Sequence, residues 1–183
     1  MRIFSVLGAA ALLLLHAGHA DVRNCQCDLA RPETMATREC SLCAAAEAQP
    51  KESPFFTLRD ANPNKPNRLL ALPRFHGRNP QDLTDLPPEQ RTAYWTFTIA
   101  KAREVWGESW GLAVNSLDRR TQCHAHIHIG KLREGVEGQS FTVVDGPSSI
   151  PLPREGDGLL IHPSGGKLHV HTGDPAPELL LER

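Results

Sequence analysis

His124, His126 and His128 alternate with Ala125 and Ile127 in the run HAHIHI. On an extended strand, residues two apart point the same way. The three imidazoles would therefore share one face, while Cys123, Ala125, Ile127 and Ile129 share the other. Imidazole ligates metals and moves protons near neutral pH, so such a row reads as a site rather than as ordinary packing. Two chemistries want it. One is covalent phosphoryl or nucleotidyl transfer, in which one imidazole attacks phosphorus and its neighbours hydrogen-bond the oxygens and the leaving group. That route requires no catalytic metal. The other is metal ligation by His124, His126 and His128, as in zinc enzymes and cupin-like oxygenases. It takes second place, because the run lacks the aspartate of an HxHxDH pattern and Glu134 falls too far along for cupin-like spacing.

A row of histidines needs a sheet to hold it. Pro54 to Asp60 and Arg68 to Leu72 read as two strands of a hairpin around the proline-bearing turn Asn62 to Asn67. A helix is predicted from Pro88 to Gly107, with Trp95, Ile99, Ala102 and Trp106 on one face. Trp110 to Asn115 and Gln122 to Leu132 follow as strands, the second carrying the histidines. Beyond Gly135, Phe141 to Val144, Leu159 to His162 and Leu168 to His171 are short apolar stretches, with Ser164-Gly165-Gly166 at a hairpin tip. This is an α+β fold, with an antiparallel sheet of about five strands, one long helix on one face, the histidines on the other, and short C-terminal strands extending the sheet or covering the site. His162, His169 and His171 are expected to be exposed hairpin residues; a second metal or phosphate contact at His169-Val170-His171 is the other reading.

The 183 residues suit one compact domain. Residues 1–20 read as a secretory leader, with Arg2, the apolar run Ile3 to Leu15 and the small-residue end Gly18-His19-Ala20; the apolar run is short for a spanning anchor. Residues 21–53 form an irregular cysteine-bearing cap, and residues 54–183 form the catalytic domain. The net charge of −1 falls to −2 once Arg2 is removed, and no run of lysines or arginines occurs, which argues against a nucleic acid partner. An exported chain is secreted or periplasmic and meets oxidising conditions. Disulfides among Cys25, Cys27, Cys40 and Cys43 are therefore favoured, with Cys123 left as a buried thiol on the core face.

The run from His124 to Ile129 resembles the histidine triad signature, in which histidines alternate with hydrophobic residues; Gly130 departs from the usual final hydrophobic position. Cys40-Ser41-Leu42-Cys43, Leu58 to Pro63, Leu72 to His76 and Asn115 fall in the order of that superfamily, so the resemblance covers Cys40 to Leu132. Leu112 to Ser116 and Arg120-Thr121-Gln122 before the histidines look like its CDP-diacylglycerol pyrophosphatase branch.

The resemblance implies an exported hydrolase that releases CMP and phosphatidate from a nucleotide-lipid at the membrane surface; a homodimer is among the assemblies it implies. By motif position, His126 is the nucleophile, His128 bonds the phosphoryl oxygens and His124 orients the set. Asn115 and Thr121 would supply neutral donors, the Arg120 guanidinium would fork onto the diphosphate, and Asp60 would accept the ribose hydroxyls. Each has a plainer reading: turn residues for Asn115 and Thr121, a solvated arginine, and turn capping by Asp60. Cys40, Cys43, His76 and His124 match the structural zinc set of some relatives, in competition with the disulfides.

Overall fold

A computed structural model describes residues 22–136 and 140–183. The leader expected over residues 1–20 lies outside them. The fold is α+β. Its strands are β1 (Phe55–Arg59), β2 (Leu69–Pro73), β3 (Trp110–Val114), β4 (Ile127–Lys131), β5 (Thr142–Val144), β6 (Leu159–Ser164) and β7 (Lys167–Thr172), with helices α1 (Ser41–Glu47) and α2 (Pro88–Trp106). All strands join one antiparallel sheet in the order β1-β2-β4-β3-β6-β7-β5.

Among the described residues the sheet thus has seven strands, not about five. The C-terminal stretches were legible as strands, but their pairing partner was not: β6 zips directly onto β3, with Leu112 opposite Ile161 and Val114 opposite Leu159. All four side chains are buried, so both strands gain by closing an edge. At the tip of β6–β7, Gly165 and Gly166 have φ of +56° and +78°, as a two-residue hairpin turn with positive φ at both centres requires.

Helix α2 begins with Pro88, whose missing N–H would have no partner in the first turn, and ends where Gly107 takes φ +57°. Trp95, Ile99 and Ala102 are buried as the spacing predicts, Trp106 is partly buried, and Tyr94 and Thr98 widen the buried face. This face packs against Ile127, Ile129, Leu112 and Ile161, one side of the sheet. Tyr94 Oη donates to Ala71 O at 2.6 Å, fastening helix to strand. Truncating a residue such as Trp95 in this core would cost about 3–5 kcal/mol.

The other face of the sheet is covered at two places. The cap includes the alanine-rich helix α1, a regular element in a region expected to be irregular; its composition favours helix. Leu42 and Ala46 of α1 pack on Phe56, Leu70 and Leu72 of β1 and β2. Farther along, Leu181 and Val136 pack on Ala113 and Leu160 of β3 and β6. The histidine strand β4 lies between β2 and β3, so a gap opens above it.

The cysteines pair differently from the expectation. Cys25 is bonded to Cys123 and Cys27 to Cys43, leaving Cys40 as the buried free thiol. The alternation argument had put Cys123 in the main core with Ile127. The segment before β4 is not extended, however, and Cys123 instead joins Met35, Cys40 and Cys43 in a separate small cluster. Disulfides of this kind suit an oxidising compartment. Among the described residues, no helix is long and apolar enough to cross a membrane.

Candidate active site

The gap above β4 is a cleft of about 620 Å³, within the range of small-molecule sites. His126, His128, Asn115, Arg120, Thr121 and Asp60 all line it, so the residues singled out in the sequence converge on one cavity. His124 does not line it.

Register explains His128. It sits opposite Leu70 of β2 and Ala113 of β3, at the centre of the second face. His126 precedes the strand and depends on the loop before it. Gln81, 2% exposed, brackets that loop: its N–H donates to Cys123 O at 2.9 Å, and its Oε1 accepts from Ala125 N at 3.2 Å. From the other side, Cys123 N donates to Glu39 O at 2.8 Å, and Gln122 Oε1 accepts from Ser41 Oγ at 3.0 Å, tying the loop to the start of α1.

The three histidines are therefore not one flat row. His124 Nε2 donates to Pro73 O at 2.7 Å, and its ring meets that of His76 edge-on at 4.9 Å. His126 Nδ1 donates to His124 O at 2.9 Å. A carbonyl can only accept, so this bond keeps the proton on Nδ1 and leaves a lone pair on Nε2. Burial holds both rings neutral, with His126 pushed down to about 4 and His124 to about 3. His128 is also depressed, first by burial and then by the neighbouring His126, Lys65 and Arg68. The rings of His126 and His128 meet edge-on at 5.0 Å. Among the described residues, the ring nitrogens of His124, His126 and His128 do not gather into a common ligand set.

Asp60 does two things. Its Oδ1 accepts from Asn62 N at 2.9 Å, which is the turn cap, and its Oδ2 faces His128 Nδ1 at 3.9 Å. Asn115 Oδ1 accepts from Glu178 N at 3.3 Å, leaving its amide N–H₂ as a donor. Arg120 is 5% exposed rather than solvated: Nη1 donates to Gln81 O at 2.8 Å and Nη2 lies 3.6 Å from Asp82. Thr121 is exposed at the rim.

Lys65 and Glu178 are cleft residues with no role assigned from the sequence. Glu178 Oε2 stands 3.4 Å from His128 Nε2 and 2.6 Å from Lys65 Nζ. Neither belongs to a motif: Lys65 sits in a proline turn and Glu178 in a short 3₁₀ turn, Pro177–Leu180. With Arg38, Arg59, Arg119 and Arg120 also lining the cavity against Asp60 and Glu178, cations outnumber anions there.

The residues considered for zinc are split. Cys43, His76 and His124 bring ligand atoms within 4.8 Å of one another, but Cys40 falls into a different group with Cys27 and Cys123. Cys43 is in a disulfide, and His76 Nε2 is 2.8 Å from Glu47 Oε1. Zinc binds thiolate, so this oxidised set does not fit a tetrahedral site on Cys40, Cys43, His76 and His124.

No protein-family model matches the chain, and no curated protein matches it.

Proposed function

We propose that this protein hydrolyses a nucleotide phosphoanhydride through a nucleotidyl-histidine on His126, with CDP-diacylglycerol as substrate and CMP and phosphatidate as products. The observation that carries the reading is the state of His126: a buried neutral imidazole whose Nδ1 proton is held by a backbone carbonyl, lining a cleft rich in arginine and lysine. The histidine triad resemblance supports the same assignment.

In this mechanism Nε2 of His126 attacks the phosphorus nearest the nucleoside and the anhydride bond breaks, releasing phosphatidate. The positive charge that develops on the ring is stabilised through Nδ1–H by the His124 carbonyl. Lys65, Arg59 and the unshared part of the Arg120 fork neutralise the diphosphate, and Asn115 Nδ2 donates to developing charge. Water then attacks phosphorus, the P–N bond returns its electron pair to Nε2, and the water's proton leaves by way of His128 and Glu178. Asp60 Oδ2 accepts a ribose hydroxyl. The apolar wall from Leu42, Ala45, Leu58 and Leu70 suits the base or the first carbons of the lipid. The leader-like N-terminus and the disulfides fit an exported protein working at a membrane surface.

The test is CMP release from CDP-diacylglycerol by the mature chain in excess EDTA, beside His126→Ala. EDTA-resistant release that disappears in the variant supports the assignment. Turnover of a soluble dinucleotide alone keeps the chemistry and rejects the lipid. No turnover of either rejects the reading.

A further inference from the structure

Burial alone does not distinguish His126. His162 and His171, expected to be exposed on the C-terminal hairpin, are buried too, at 1% and 5% exposure. The chemistry assigned to His126 rests on a tautomer, and that tautomer rests on one peptide group.

The proton on His126 Nδ1 is held by the carbonyl of His124 at 2.9 Å. That carbonyl and the N–H of Ala125 are the two ends of a single planar unit, so they point in opposite directions and turn together. Residues 121–126 lie outside any strand, so no sheet ladder fixes this plane. Gln81 does so instead. Its Oε1 accepts from Ala125 N at 3.2 Å, and its Nε2 donates to Phe75 O at 2.6 Å. A backbone N–H only donates and a backbone carbonyl only accepts, so the amide has one orientation. The side chain is anchored from behind as well: Gln81 N donates to Cys123 O at 2.9 Å, and Gln81 O accepts from Arg120 Nη1 at 2.8 Å. Hydrogen bonds in series polarise one another, so the bond at Ala125 N makes the His124 carbonyl a better acceptor.

We infer that Gln81 is a positioning residue for the reaction proposed above: it clamps the His124–Ala125 peptide so that the carbonyl keeps the proton on Nδ1 of His126 and leaves Nε2 free to attack. The link to catalysis rests on His126 being the nucleophile; the control of its tautomer does not.

Gln81→Met tests the clamp, because it removes the amide and leaves both backbone bonds in place. Gln81→Asn, one methylene short of reaching both partners, is the second variant. Long-range ¹H–¹⁵N spectra at neutral pH, with the His126 signals assigned by His126→Gln, read the tautomer directly. The wild-type ring should carry its proton on Nδ1 alone, and both variants should populate the Nε2–H form. In hydrolysis of CDP-diacylglycerol, kcat should fall about 10- to 100-fold with KM little changed. A purely structural glutamine would lower the unfolding midpoint and leave the tautomer as it was. A wild-type ring protonated on Nε2, or folded variants that keep the Nδ1 form, overturns the inference. Loss of the Nδ1 form in the variants of a chain that turns over no nucleotide supports the clamp and overturns its catalytic role along with the proposed function.

Discussion

Glu178 Oε2 lies 3.4 Å from His128 Nε2, and Lys65 Nζ holds that same oxygen at 2.6 Å. The carboxylate is thus placed to take a proton from, or orient, the imidazole that borders His126. Glu178→Gln keeps the shape and removes the charge. In steady-state hydrolysis, kcat should fall about 10- to 100-fold with KM little changed. An unaltered kcat would make the carboxylate a bystander.

Arg68 is the reason Glu178 is there. Buried to 2% exposure, it donates from Nε to Glu182 O at 2.7 Å and from Nη2 to Glu178 O and Leu181 O at 2.8 and 2.6 Å. Arg68→Met should lower unfolding free energy by about 3 kcal/mol, because it strands these carbonyls and loosens Glu178. It should also reduce turnover. Combined with Glu178→Gln, the kinetic losses should not add, since both act on one carboxylate; strict additivity in the double-mutant cycle contradicts the link.

The buried histidines set a pH dependence. In the proposed mechanism neutral His126 is the nucleophile, and burial pushes it down to about 4, so kcat/KM should be flat at neutral pH and fall as pH drops through about 4. Stability follows a different window. His124 and His126 have folded values of about 3 and 4 against 6.5 when unfolded, so between those limits the unfolded chain binds more protons. Urea unfolding should show constant stability from these groups above about pH 6.5 and progressive loss below it. A gain on acidification over that interval would mean the rings are held charged.

The disulfides make a chemical prediction. Peptide mapping after alkylation without reductant should find Cys25–Cys123 and Cys27–Cys43, with the label on Cys40. Cys25→Ser should cost about 2–4 kcal/mol, because the lost bond closes a loop spanning 98 positions. Any pairing of Cys40 would refute this.

Local periodicity carried helix α2 and the existence of most strands, because each signal lies within its own segment: Pro88 and Gly107 at the ends, Trp95, Ile99 and Ala102 between. Pairing did not show itself, since β6 meets β3 across the intervening β4 and β5. The alternation of histidines gave the right face for His128 and the wrong conformation for residues 122–126, which are shaped by Gln81 and Glu39 rather than by a sheet ladder. Gly130, odd in the motif, has a physical reason: a Cβ there would lie 3.0 Å from Arg68 Cδ and 3.3 Å from Leu181 Cβ. It leaves room for the arginine. Gly130→Val should therefore mimic Arg68→Met in both stability and turnover.

Arg68 grips the segment from Glu178 to Glu182 through carbonyl oxygens, which every amino acid supplies. These three bonds do not depend on side-chain identity, although Arg68 Nη1 also lies 3.8 Å from the Glu178 carboxylate. Leu179, 59% exposed, is free to drift without loosening the segment, while a change at Glu178 reaches the cleft directly. One wall of the pocket is therefore set at a single position, 178, whose carboxylate also faces the buried Arg68, so a replacement there changes the cleft and the arginine's counter-charge together.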